Sequence, residues 1–97
     1  MKIQDVKAKI TPILKSQGVL KAAIFGSFVR GEAKKNSDID ILVSLPSKKS
    51  LMDLVRLEFK IADKLNKKID LVTINSVHPL LRKNILKEQK IIYEKRS

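Results

Sequence analysis

Three aspartates, a Gly-Ser pair and one arginine are the residues of this chain whose types and spacing could do chemistry. Residues 26–43 read GSFVRGEAKKNSDIDILV. An apolar run over residues 22–25 ends in Gly26-Ser27, and Ser37-Asp38-Ile39-Asp40 opens a second apolar run, Ile41-Leu42-Val43. Side chains alternate between the faces of a strand, so Asp38 and Asp40 share one face while Ile39 and Ile41 share the other. Two carboxylates about 7 Å apart on one face suit a cation better than a core. Hard divalent cations such as Mg2+ take oxygen ligands, typically one or two carboxylates completed by substrate phosphates. The Gly-Ser pair stands where a strand gives way to a short helical turn, and free backbone N–H groups there can hold phosphate oxygens. Phosphate grip beside metal grip points to nucleotide chemistry.

The side chains around this pattern leave some roles open. Gly26 allows close approach of a phosphate to the backbone, and the Ser27 hydroxyl and N–H can donate to it. Arg30 offers a planar fork to a phosphate or to the carboxylate of Glu32 or Asp38. Gly31 reads as a helix stop. Lys34 and Lys35 could meet a substrate or simply form a solvated loop. His78, the one histidine, has no His or Cys companion and reads as a surface residue.

The elements that must position these residues follow from periodicity. Ile3, Val6, Ile10, Ile13 and Leu14 have helical spacing over residues 3–16, and Pro12 predicts a kink or two short helices meeting near Thr11. Residues 19–25 read as a first strand, 27–31 as a short helical turn and 39–45 as a second strand stopped by Pro46. Ser50 and Asp53 resemble a helix-start box, and Leu51, Leu54, Val55, Glu58, Ile61, Ala62 and Leu65 trace a helix with one mostly apolar face. Residues 69–73 form a third strand carrying Asp70. Pro79 suits the first turn of another helix, and residues 90–94 read as a short edge strand in which Tyr93 packs. The order α-β-α-β-α-β-α-β predicts one α/β or α+β domain with a single small sheet, spanning residues 1–97.

Gly26-Ser27-Phe28-Val29-Arg30-Gly31 followed by Ser37-Asp38-Ile39-Asp40 resembles the motif of the minimal nucleotidyltransferases of the DNA polymerase beta superfamily. The family's third acidic residue, on a later strand, is matched by Asp70 in Lys68-Ile69-Asp70-Leu71-Val72. Val29 stands where the family often has a small residue. The resemblance implies a mixed sheet flanked by helices, of the polymerase beta nucleotidyltransferase type. It implies Asp38, Asp40 and Asp70 as catalytic metal ligands for Mg2+, two ions with Mn2+ as an alternative. Gly26, Ser27 and Arg30 become the nucleotide-binding set, with ATP the family's usual substrate. Minimal members commonly accompany a small helical HEPN-type toxin, act as its antitoxin, and transfer AMP to one of its tyrosines. An antitoxin adenylyltransferase is therefore the first expectation. Nucleotidyl transfer to RNA and a non-catalytic antitoxin that acts by binding are the alternatives.

Composition bounds the rest. Ninety-seven residues without cysteine exclude a disulfide framework and a thiolate metal site. The apolar runs are far short of a membrane span, and the N-terminus does not open a signal peptide, so a cytoplasmic protein is expected. The formal charge is +11. Residues 1–36 hold eight Lys/Arg against two Asp/Glu, residues 37–75 seven against six, and residues 76–97 six against two. Basic flanks around an acidic centre attract an anionic substrate or partner. One Tyr and three Phe leave little for stacking nucleic-acid bases.

Overall fold

The computed structural model describes residues 1–32 and 38–95. Ser37, Lys34 and Lys35 lie outside the described residues. Helix α1 (Ile3–Ser16) is followed by strand β1 (Lys21–Phe25), the one-turn helix α2 (Ser27–Arg30) and strand β2 (Ile39–Ser44). Helix α3 (Leu51–Leu65), strand β3 (Ile69–Val72), helix α4 (Pro79–Glu88) and strand β4 (Lys90–Glu94) complete the chain, with a 3-10 turn over Ile74–Ser76. The sheet order is β3-β2-β1-β4. β1 pairs antiparallel with β2 and β4, and β2 runs parallel to β3, so the sheet is mixed and β4 lies at an edge.

One face of the sheet holds the core. Ile24 of β1, Ile39, Ile41 and Val43 of β2, and Ile69 and Leu71 of β3 meet Val6, Ile10 and Leu14 of α1 and Leu57, Ile61 and Leu65 of α3. Full burial of each such side chain stabilises the fold by about 1.5–3 kcal/mol. The alternation that buries Ile39 and Ile41 turns Asp40 to the opposite face.

Helix α1 departs from expectation. Pro12 lies inside one continuous helix rather than at a junction of two. Proline costs the helix an N–H, but Val6, Ile10 and Leu14 are completely buried and hold both halves to one core face. Pro12 itself points to solvent, and the Thr11 hydroxyl donates to the Lys7 carbonyl. Packing on both sides outweighs one missing hydrogen bond.

The other elements end where local chemistry places their boundaries. Ser50 and Asp53 form the reciprocal box at the start of α3: the Ser50 N–H donates to Asp53 Oδ2 at 2.8 Å and the Asp53 N–H to Ser50 Oγ at 3.3 Å. Asn66 closes α3 in the left-handed conformation at φ 52°. His78 is surface-exposed, as expected, and starts α4: its Nδ1 accepts the Leu80 N–H at 3.1 Å. A bulge in the β1–β4 pairing sets Tyr93 opposite Ala22 and Ile91 opposite Ala23. Ile92 and Tyr93 both reach the core as a result.

Candidate active site

The site lies on the sheet face that α1 and α3 leave open, at the end of β1. Cross-strand register sets Phe25 opposite Asp40 and Asp40 beside Asp70. Gly26, the residue after Phe25, has φ 79°, a region that a side chain disfavours. Its Cα faces the Asp40 carboxylate so closely that a β-carbon there would overlap Asp40 Oδ2. Glycine is required at 26 twice over, by backbone conformation and by the carboxylate in front of it. Ser27 opens α2, and Gly31 ends it at φ 75° with open space around it.

Asp40 and Asp70 come together. The Asp40 carboxyl is partly buried on the sheet, and its pKa is raised above the ordinary aspartate value. Burial is the largest cause, followed by the charges of Asp70 and Asp38 and a hydrogen bond with Asp70. Asp38 stands just before β2, half-buried, and Asp70 is exposed on the edge strand β3. Among the described residues no three His, Cys, Asp or Glu side chains are grouped so that they could hold a metal ion together. Mg2+ does not demand such a group, because one or two carboxylates and substrate phosphates satisfy it. A partly buried Asp40 carboxylate with the charges of Asp70 and Asp38 beside it is a donor set that a divalent cation fits.

Arg30 is placed differently from the aspartates. Its Nε donates to Glu32 Oε2 at 3.1 Å, and its Nη1 donates to both Glu88 oxygens at 3.1 Å. These hydrogen bonds, Glu32's first, raise the guanidinium pKa further. Of the two carboxylate partners considered from sequence, Glu32 is present, and Glu88 joins it. Glu88 is the residue that sequence reasoning missed. It ends α4, and its Oε1 also accepts the Gly26 N–H at 2.9 Å. The available signal was its isolation, one of two acids in the basic stretch 76–97.

Among the described residues, one cavity lies at the Gly26 turn and another on the open face of the sheet. The first, about 670 Å3, lies between α2 and α4 and is lined by Phe25, Gly26, Arg30, Leu81, Ile85 and Glu88 among others. The second, about 620 Å3, lies on the open face around Ala23, Leu42, Leu45, Leu54, Thr73 and Asn75. Both are within the size range of small-molecule sites. Leu42, which lines the second cavity, is on the same face as Asp40, two residues further along β2.

Known proteins are similar to this chain in sequence and fold. The family model described as Polymerase beta, Nucleotidyltransferase matches residues 8–97. A Methanocaldococcus jannaschii protein named "Putative protein adenylyltransferase MJ0435" is 52% identical over 88 residues, 91% of this chain and 95% of that protein. The "Protein adenylyltransferase MntA" of Thermococcus cleftensis is 41% identical over 71 residues, 73% of this chain and 72% of its own length. A solved structure described as a toxin-antitoxin with AMP-PNP superposes with a TM-score of 0.78 at 26% identity, covering 93% of this chain and 74% of that one. A glycine turn closed against a carboxylate pair, on this sheet and with these relatives, has one assignment: the chain belongs to the polymerase beta nucleotidyltransferase family.

Proposed function

We propose that residues 1–97 form a single cytoplasmic domain that transfers AMP from ATP to a small helical HEPN-type toxin and acts as its antitoxin. The observation that carries the transfer chemistry is the contact of Gly26 with Asp40, itself in register with Asp70. It sets a phosphate-holding turn against the carboxylates that would hold a cation. Support for a protein acceptor comes from the two relatives named as adenylyltransferases and from the toxin-antitoxin structure with AMP-PNP. The excess of basic residues in both flanks suits an anionic partner surface. No helix among the described residues is long and apolar enough to cross a membrane.

In this reading Asp38, Asp40 and Asp70 would hold divalent metal, two Mg2+ ions with Mn2+ as a substitute. A bound metal would supply Lewis-acid neutralisation of the charge on the transferring phosphoryl group. Gly26 keeps the backbone low enough for the triphosphate to approach, and the Ser27 hydroxyl and N–H donate to its beta- or gamma-phosphate. Arg30 would meet the phosphates from the end of the turn by exchanging part of the fork it now shares with Glu32 and Glu88. Asp70, on the exposed edge strand, orients the acceptor hydroxyl and takes its proton. The hydroxyl oxygen bonds to the alpha-phosphorus, the bond to the bridging oxygen breaks, and pyrophosphate leaves.

The test uses ATP labelled at the alpha-phosphate, incubated with the protein, Mg2+ and a lysate of its own cells, with Asp38→Asn as control. Label that protease removes and the variant never incorporates supports the proposal. Label removed by RNase instead moves the acceptor to RNA, and retention of cellular antitoxin activity by Asp38→Asn leaves binding alone as the antitoxin mechanism.

A further inference from the structure

A one-turn helix is too short to hold its own shape in water, since isolated helices of fewer than about 12–15 residues are marginal. Helix α2 has only four residues, yet it must present the phosphate-binding backbone in one geometry. Something outside the turn has to fix it. A single oxygen does so at both ends: Glu88 Oε1 accepts the N–H of Gly26, the residue that begins the turn, at 2.9 Å. The same oxygen accepts from Nη1 of Arg30, the turn's last residue, at 3.1 Å. Glu88 Oε2 adds a second contact to Arg30 at 3.1 Å.

We propose that Glu88 is a positioning residue for nucleotide binding, a carboxylate staple that locks the Gly26–Arg30 turn against Asp40. Gly26 is buried, and a buried N–H left without an acceptor is destabilising. Glu88 therefore satisfies the Gly26 N–H within the fold, in a part-buried contact. Gly26 is also the residue pressed against Asp40, so the staple sets the spacing between phosphate grip and carboxylates. Glu88 is far from both motifs in sequence and part-buried, its side chain 28% exposed. Helix α4 has no buried residue of its own, which makes this contact a principal tie between its C-terminal end and the site.

The inference rests on the reading that this turn holds the triphosphate, and the experiment separates the two. Affinity for Mg2+–AMP-PNP is measured by calorimetry, and exchange of the Gly26 amide proton by NMR. The proteins are wild type, Glu88→Ala, Glu88→Gln and Asp53→Ala. Glu88→Ala should lose Gly26 protection and bind at least about tenfold more weakly, the order of one charge-assisted hydrogen bond. Glu88→Gln keeps an oxygen that can accept the Gly26 N–H but loses the charge and the second acceptor facing Arg30, so it should keep Gly26 protection and lose less affinity than Glu88→Ala. Asp53→Ala, which loses a helix cap away from the turn, should destabilise the fold without changing affinity. If Glu88→Ala does not fold, Glu88→Asp, one methylene too short to reach both ends, should show the same two losses in smaller degree. Unchanged affinity in Glu88→Ala, or in Glu88→Asp where that variant stands in, overturns the proposal. A loss in Glu88→Gln as large as in Glu88→Ala, or an equal loss in Asp53→Ala, overturns it too. Failure of the wild type itself to bind would overturn the phosphate reading, and the staple's role with it.

Discussion

The two faces of the sheet are built from the same strands by opposite rules. On the covered face Ile24, Ile39, Ile41 and Val43 are at most 2% exposed and pack in one apolar cluster. On the open face the same strands carry Ala23, Asp40 and Leu42, with Asp70 alongside. A carboxylate there is held in partial burial beside another, where its ionised form is disfavoured. The covered face makes the protein stable, and the open face gives up some of that stability for a place where charge can be handled. Asp40 and Ile41 are consecutive residues, so the contrast can be tested one position apart.

The largest effect is expected from the covered face. Ile41→Ala should cost about 2–5 kcal/mol, the range for buried large-to-small changes. Total stability for a domain of this size is on the order of 5–15 kcal/mol. Chemical denaturation should show a lowered midpoint with little change in slope, while the folded fraction retains its specific activity. Activity lost in step with Asp40 variants would mean that the faces are not separable.

Asp40→Asn should do the reverse. Removing a proposed metal ligand should lower transfer by more than about a hundredfold, since even the outer partners of ligands are worth 10–100-fold. Metal-free stability should rise. The folded pKa of Asp40 lies above its unfolded value, so the native state binds the proton more tightly than the unfolded state does. The resulting penalty on the fold is full above the folded pKa, shrinks as pH falls through it, and is gone below the unfolded value of about 3.9. The melting-temperature advantage of Asp40→Asn should therefore be present at neutral pH and disappear in acid. A lower melting temperature than wild type in metal-free buffer at neutral pH would count against the strained pair.

Gly26→Ala stands between the faces and should harm both functions. A β-carbon would overlap Asp40 Oδ2, and φ 79° is unfavourable for alanine. Destabilisation of about 1–3 kcal/mol is expected, together with weakened nucleotide binding. Gly31→Ala is the comparison. It shares the positive φ but has open space, so it should lose stability through its backbone alone and bind nucleotide more nearly normally.

How much of this was legible in the sequence follows from the range of the forces involved. Alternation along residues 38–43 sorts Asp40 from Ile41 because strand geometry has a period of two, and Ser50 with Asp53 marks a helix start because the box closes within three residues. The motif resemblance supplied the mixed sheet, which periodicity alone did not choose. Pro12 misled because proline's effect is local, whereas the burial of Val6 and Leu14 that overrides it depends on α3 and the sheet. Glu88 was invisible for the same reason. Its partner Gly26 lies 62 residues away, and no spacing rule links the end of one helix to the turn after β1. The partnership of Arg30 with Glu88 was likewise beyond local reading, although Glu32, two residues off, was within it.

The smallest effect is expected farthest from the contrast between faces. Asp53 caps α3, the helix that covers the core, and the Ser50 backbone N–H holds its carboxylate below the ordinary pKa. The sign is opposite to that of Asp40. The cap's electrostatic contribution is present above the unfolded value, is lost as pH falls through the folded one, and is absent in stronger acid. Asp53→Ala should lower the melting temperature slightly at neutral pH, with transfer activity unchanged and no electrostatic difference from wild type at the acid end. Differential scanning calorimetry across that range should give two curves of opposite slope: the Asp40→Asn advantage over wild type growing with pH, and the Asp53→Ala deficit growing with it. Parallel curves would mean that the two carboxylates differ in position but not in the physics that sets one face apart from the other.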